Sequence, residues 1–309
     1  MNQVALLQRI KELYQKKDIN IIEYLKKQDG HAQTSRQDIM ISYDFQAGSY
    51  VNAYKKAPDK VWTFVQRLAS CIEELPGEKQ SIFEPGIGEA TTFAALMAQI
   101  SIPFVFSGGA DVSWSRIKTA QQFVEEMRLA SGMPSNLVLG DMFELPLEDN
   151  AVDIVYTVHA VEPNGGREKE ILTELYRITN EYLILLEPAY ELANTEARQR
   201  MERHGYIQNL YRSAKELGYD ILTWELYGMA MNPLNPTGFL VIKKRQRRSQ
   251  AEGYVSGFSC PITKTRLEKI GNAFFSKESL LAYPIVNEVP CLMKEYAVVA
   301  TKMNELYGR

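Results

Sequence analysis

Phe83-Glu84-Pro85-Gly86-Ile87-Gly88-Glu89-Ala90-Thr91 is the stretch whose reading decides the fold. The short apolar run before it, residues 81–83, has the character of a strand. Residues 91–99 after it repeat apolar side chains at helical spacing, so the glycines fall where a strand turns into a helix. Glycine at such a turn takes torsions that a Cβ forbids and lets the backbone pass close to a ligand. A dinucleotide fingerprint would place a third glycine at position 91, to seat the helix beneath a pyrophosphate; Thr91 stands there instead.

Outward from this turn the chain alternates. Residues 104–107, 136–139, 152–158 and 182–186 read as strands, with helical patterns at 113–129 and 167–179. Residues 219–227 and 238–243 add two strands, and the two prolines of Met231-Asn-Pro-Leu-Asn-Pro236 exclude a tight hairpin between them. Strand and helix repeated in this way predict an α/β fold, a mostly parallel sheet with helices on both faces. Upstream, leucines and isoleucines at helical spacing in residues 6–25 predict helices. Residues 41–51 are aromatic and bounded by small residues, and a helix is expected from Asp59 as N-cap. The run Lys243-Lys-Arg-Gln-Arg-Arg248 and the polar residues after it mark a boundary near Ser249. Three parts are therefore expected: a helical extension and lid over 1–58, a ligand-binding domain over 59–248, and a small strand-rich module over 249–309 that ends in a helix over 294–306.

Acidic residues keep step with the strands. Glu84 has the wrong sign to sit beside a pyrophosphate, yet it suits a ligand carrying an amino group and a sulfonium, which favours S-adenosylmethionine over NAD. Asp111 follows the second strand, where a carboxylate accepts both ribose hydroxyl protons. Asp141 follows the third, placed for the adenine amino group, with Met142 and Phe143 offering apolar faces to the ring. Asp153 accompanies the fourth, and all four acids are expected at the carboxyl ends of the strands, where open α/β sheets bind ligands.

Together Glu84, Gly86, Gly88, Asp111, Asp141 and Met142 make residues 42–244 resemble the class I S-adenosylmethionine-dependent methyltransferases. The resemblance implies a seven-stranded Rossmann-like sheet with only the last strand antiparallel. It also places groups facing the transferred methyl in Thr157-Val-His159-Ala-Val-Glu162-Pro-Asn164-Gly-Gly166, so His159 is a candidate base and Glu162 its orienting partner or an acceptor ligand. A plainer alternative has His159 capping the strand end and Glu162 pairing with Arg167. Tyr43, Asp44 and Tyr50 read either as a lid over the cofactor or as helix packing. His204, Tyr206, Tyr211 and the loop 232–235 are located where acceptor-binding elements are inserted, and Glu187-Pro188 reads as structural.

Cys260-Pro-Ile-Thr263 and Tyr283-Pro-Ile-Val-Asn-Glu-Val-Pro290 are similar to the small zinc-ribbon-like subunit that activates several RNA and release-factor methyltransferases. Zinc-binding members carry Cys-Pro-x-Cys and two later cysteines. Thr263 replaces the second cysteine and Cys291 lies beyond the Tyr-Pro-Ile stretch, so no metal is expected.

Composition narrows the acceptor. Apolar residues at 45% and charged residues at 24% of 309 describe a folded chain, and 35 basic against 38 acidic residues argue against a surface built throughout for nucleic acid. No apolar stretch reaches the ~20 residues of a membrane span, the amino terminus lacks the apolar core of a secretion signal, and three cysteines fit a reducing cytoplasm. A small-molecule acceptor, a sugar or other biosynthetic intermediate, is favoured. The alternatives are methylation of tRNA, rRNA or a translation factor, prompted by the activator-like module and the basic run, and a non-enzymatic cofactor-binding scaffold.

Overall fold

The computed structural model describes residues 3–16, 19–29, 35–128, 135–230, 232–244 and 257–307. Five helices lead the chain: α1 Gln3–Gln15, α2 Ile21–Asp29, α3 Arg36–Phe45, α4 Ser49–Lys56 and α5 Pro58–Glu74. The alternation follows as β1 Ser81–Pro85, α6 Thr91–Met97, β2 Phe106–Asp111, α7 Trp114–Arg128, β3 Asn136–Leu139, β4 Val152–Val158, α8 Glu168–Ile178, β5 Thr179–Pro188, α9 Thr195–His204, α10 Leu210–Glu216, β6 Asp220–Leu226 and β7 Thr237–Lys243. These strands form one seven-stranded sheet in the order β3-β2-β1-β4-β5-β7-β6, with β7 antiparallel to both neighbours and the other pairings parallel.

The period-two alternation of the strands fills two cores. Ile82, Ile154, Ile184 and Val241 face α5, α6 and α7 through Leu68, Ile72, Phe93, Leu96 and Ile117. Phe83, Val155, Leu183 and Leu240 face α8 and α10 through Ile171, Leu175 and Leu210. Every strand of the parallel part is therefore buried on both sides, as its continuous apolar runs require.

Beyond β7 a second, antiparallel sheet is built from β8 Glu268–Ile270, β9 Ala273–Ser276, β10 Leu281–Val286, β11 Val289–Pro290 and β12 Val298–Val299, followed by α11 Met303–Tyr307. It lies against β3, one of the two edge strands of the large sheet. Leu139 bridges Cys291, and the Leu292 amide donates to the Leu139 carbonyl at 2.9 Å. Phe258, Cys260, Leu267, Tyr283 and Leu292 join the second core. The boundary near Ser249 and the basic residues 245–248 lie outside the described residues. Lys244, just before them, is buried, and its Nζ donates to the carbonyls of Tyr176 and Thr179 at 2.6 and 2.8 Å, answering the end of α8. No helix among the described residues is long and apolar enough to cross a membrane.

Three expectations need correction. Ala57, not Asp59, holds the N-cap of α5, because Pro58 presets the first helical torsion. The second strand begins later than 104 and runs through Gly108 and Gly109. There a Cβ on Gly108 would lie 2.1 Å from the Asn136 carbonyl oxygen, and one on Gly109 would lie 2.5 Å from the Ile87 side chain. These glycines permit close strand packing and do not mark a loop. The expected helix over 294–306 is a 3-10 turn at Lys294–Tyr296, a strand and the short α11, because the branched Val298 and Val299 pair with Ala282 and Leu281 of β10.

Candidate active site

The glycine turn is held by its neighbours. Gly86 and Gly88 take φ of +74° and +56°, and the Gly86 and Ile87 amides donate to the Ala110 carbonyl at 2.7 and 3.1 Å. A Cβ on Gly86 would lie 2.3 Å from the Ala160 Cβ and 3.3 Å from the Met142 Cε, so only glycine lets β1, β4 and the loop after β3 converge there. Asp111 at the tip of β2 fastens the same turn. Its Oδ2 accepts from the Gly88 amide at 3.1 Å and its Oδ1 from the Ser113 amide at 2.9 Å, leaving lone pairs on both oxygens for further donors. Burial raises its carboxyl pKa, against the opposing charge of Arg116 and these amides.

Glu84 closes the floor. It is buried, accepts from the Tyr156 hydroxyl at 2.7 Å and the Thr92 hydroxyl at 3.1 Å, and burial nevertheless pushes its carboxyl up to about 8. Asp141 stands just past β3, its Oδ1 accepting from the Phe143 amide at 3.0 Å and its Oδ2 from Arg36 Nη1 at 2.6 Å. Arg36 also donates to Glu295 of the carboxyl-terminal unit.

Asp153 is not part of this constellation. It stands at the start of β4, at the opposite end of the sheet, where its carboxylate accepts from the amides of Gln80 and Ser81 and from Asn180 Nδ2 at 2.8 to 3.1 Å. The acids at the carboxyl ends are Glu84, Asp111 and Asp141.

His159 ends β4 in the left-handed region, φ +50°. Its Nδ1 lies 2.8 Å from Glu162 Oε2 and its Nε2 lies 2.8 Å from the Thr237 hydroxyl. Asn235 Nδ2 donates to the same Glu162 oxygen at 2.9 Å. Burial works against a charged ring, yet the hydrogen bond and charge of Glu162, with Glu187 beyond, leave the His159 pKa above the ordinary imidazole value. Burial alone would raise Glu162; His159, Asn235 and Tyr206 together hold it below the usual carboxylate value. Glu162 does not pair with Arg167, which bonds Glu170 at 2.7 Å and covers the Phe143 ring. Glu187 accepts from the amides of Ala160, Val161 and Glu162 at 2.9 to 3.2 Å, the structural role read for it.

The amino-terminal helices roof these groups. Asp44 caps α7, accepting from Ser113 Oγ at 2.8 Å and from Ser115 at 2.9 Å, while Glu89 of the glycine turn accepts from the Gly48 and Val51 amides at 3.0 and 2.8 Å and so answers the start of α4. Tyr43 and Tyr50 flank the Arg116 guanidinium at 4.2 and 4.8 Å from their ring centres. Beneath this roof lies one cavity of about 530 Å³. Glu84, Gly86, Gly88, Asp111, Asp141 and Met142 line it together with His159, Glu162, Asn232, Asn235, Tyr43 and Tyr50. Tyr211 stacks on Trp224 instead, and His204 on Tyr206. Arg36, Glu89, Arg116 and Thr237 were not singled out by the sequence; each acts through a partner far along the chain, and only Glu89, inside the glycine motif, carried a local signal.

Among known proteins, residues 83–182 match the family described as a methyltransferase domain. No curated protein matches the chain. Solved structures with a similar fold include magnesium protoporphyrin IX methyltransferase of Synechocystis, with 15% identity, 77% of this chain and 99% of that chain covered, and a TM-score of 0.46. A chain in the complex of the Haloferax volcanii Trm112 methyltransferase activator with a methyltransferase has 14% identity, 65% and 96% coverage, and 0.49. Geranyl diphosphate C-methyltransferase of Streptomyces coelicolor has 9%, 59% and 76%, and 0.44. Residues 83–182 thus carry a methyltransferase domain, set on a seven-stranded sheet of the order described above.

Proposed function

We propose that the enzyme methylates a small-molecule acceptor, a sugar or comparable biosynthetic intermediate, inside the roofed cavity. The observation that carries this reading is the continuity of that cavity. About 530 Å³ is the size of a site for small molecules, and it joins the cofactor end to the His159–Glu162 end beneath Tyr43 and Tyr50. The residues present fit S-adenosylmethionine, since a Cβ at Gly86 would fill the cradle beside Met142. Asp111 would hold the ribose hydroxyls, Asp141 the adenine amino group beside Met142, and Glu84 with the Gly86–Gly88 turn the amino-acid tail. The bound cofactor supplies the methyl group and already carries its leaving group, so the chain's task is chiefly alignment, worth ~7 to 11 kcal/mol in favourable cases.

Glu162 and His159 serve the acceptor. With Nδ1–H donating to Glu162 and Nε2 against Thr237, the ring is fixed in place, and the pair orients an acceptor hydroxyl or amine and takes up its proton. Asn235 lends the cavity a buried Oδ1 with no partner among the described residues, an acceptor for a ligand N–H or O–H, and its orientation is fixed because Nδ2 donates to Glu162. The three-part division at residues 58 and 248, a metal-free activator-like module after it and a cytoplasmic site of action complete the proposal.

Incubation of the protein and methyl-labelled cofactor with cell extract tests it. Label is expected in a small-metabolite fraction. Label in RNA or protein would replace this acceptor class with the second reading, and binding without transfer to any fraction would leave a scaffold.

A further inference from the structure

The cavity is largely acidic, with Glu84, Glu89, Asp111, Asp141 and Glu162 on its walls, which suits the ammonium and sulfonium of the cofactor. Of its three basic residues, Arg36 is engaged by Asp141 and Glu295 and Lys60 is exposed; the third, Arg116, is buried. It stands in the first turn of α7 and lines the cavity, although only 4% of the residue is exposed. Its Nε donates to the Tyr43 carbonyl at 3.2 Å and its guanidinium is held between the Tyr43 and Tyr50 rings. Its Nη1 would be 3.7 Å from a Cβ on Gly88, so the fork lies along the glycine turn. Buried Nη2 has no hydrogen-bond partner among the described residues. A guanidinium presents its donors in a rigid planar fork that matches a carboxylate or phosphate, and a buried donor left unanswered is unfavourable until a ligand supplies the acceptor. Two aromatic faces stabilise the charge without using its N–H groups, and they prevent the fork from swinging out to water.

We propose that Arg116 is the oxyanion-reading group of the cavity, its Nη2 donating to a carboxylate or phosphate oxygen of a bound ligand. The proposal rests on the cavity being the cofactor and acceptor site. Two sources supply the same chemistry: the carboxylate of the cofactor's amino-acid tail, or an anionic group on the acceptor. In either case the ligand's anion fixes the roof, because the same guanidinium holds Tyr43 of α3 by its carbonyl and ring and Tyr50 of α4 by its ring.

Calorimetric titration separates the sources. The probes are S-adenosylhomocysteine, its decarboxylated analogue, and inorganic phosphate added to the free and the S-adenosylhomocysteine-loaded enzyme. If the cofactor's carboxylate is read, the native protein prefers S-adenosylhomocysteine over the decarboxylated analogue by about tenfold to a hundredfold, and Arg116→Met reduces that preference to within about threefold. If the acceptor's anion is read, the two nucleosides bind alike, phosphate binds the native protein, and Arg116→Met abolishes its uptake. The native-protein comparisons stand without any variant, and Arg116→Lys, which keeps the charge and loses the fork, replaces Arg116→Met should that one misfold. A native protein that neither distinguishes the nucleosides nor takes up phosphate overturns the proposal, as does a variant with the native pattern. Failure of the native protein to bind S-adenosylhomocysteine at all would sink the cofactor assignment alone, since the phosphate titration of free enzyme still decides Arg116.

Discussion

Replacing Glu84 by glutamine tests the cation-binding role proposed for this residue apart from its place in the core. The carboxyl is enclosed between the Tyr156 and Thr92 hydroxyls and titrates at about 8, so at pH 7 about ten molecules are protonated for each one ionised. A ligand ammonium or sulfonium needs the ionised form, and ionising it costs about 1.4 kcal/mol for every pH unit below that midpoint. Calorimetry in buffers of different ionisation enthalpy is expected to show cofactor affinity rising about tenfold per unit from pH 6 to 8 and then levelling. Close to one proton should be released per cofactor bound at the acid end. Glu84→Gln, whose amide resembles the neutral acid, should fold, lose most of the slope and bind far more weakly at pH 9 than the native protein, with the gap nearly closed at pH 6. The same ionisation enters stability. Glu84 at about 8 and Glu187 at about 7 stand above their ordinary value of 4.5, so the folded chain retains protons that the unfolded chain has released. That contribution is full below pH ~4.5 and is lost as pH rises towards 8, so the ligand-free melting temperature should fall across this window. Affinity independent of pH in the native enzyme, or a slope that survives in Glu84→Gln, would refute the reasoning.

Three further outcomes follow from the geometry. Gly86→Ala must place a Cβ 2.3 Å from the Ala160 Cβ at φ +74°, and a loss of roughly 2–4 kcal/mol is expected in denaturant unfolding, with cofactor binding weakened in parallel. Glu162→Gln and His159→Asn should lower kcat about 10²- to 10⁴-fold while S-adenosylhomocysteine affinity, read by calorimetry, stays within about twofold; equal losses in both would make the pair structural. Removing residues 250 onward should give insoluble or weakly active protein, because Phe258, Leu267, Tyr283 and Leu292 are part of the second core, and a truncated form with unchanged melting and turnover would contradict that.

Much of this architecture was legible because a parallel strand buried on both faces leaves a continuous apolar run and a glycine turn leaves a local motif. Residues 136–139 and 152–158 were read to the residue for that reason. Gly108 and Gly109 misled, since glycine serves close strand packing as well as turns, and the difference is set by the Asn136 carbonyl on another strand. Asp153 misled by keeping step with the strands while standing at the wrong end of one. What the local pattern could not carry were pairings across the chain: Arg36 with Asp141, 105 residues apart, and Asp44 with Ser115, 71 apart, join helices whose relative placement no periodicity encodes.

The carboxyl-terminal unit is tied to the Asp141 end of the cavity through one edge of the large sheet. β3 is one of its two edge strands, and an open edge of parallel strand presents unpaired amides and carbonyls. The Leu292 amide answers the Leu139 carbonyl, two residues before Asp141, so the strand that presents this acid is braced from outside. Arg36 then joins Asp141 to Glu295 and to the start of α3, while Lys294 reaches Glu144 in the loop after β3. Roof, Asp141 and added unit thus share a single charged junction. One Asp141 oxygen is already engaged by Arg36, so under the proposed assignment an adenine amino group would share that oxygen or use the remaining capacity of its partner, and any change in how the unit sits on β3 is transmitted to Asp141. Fusion of the unit to the catalytic chain holds this junction at a fixed stoichiometry, whereas a separate subunit would assemble it only at sufficient concentration.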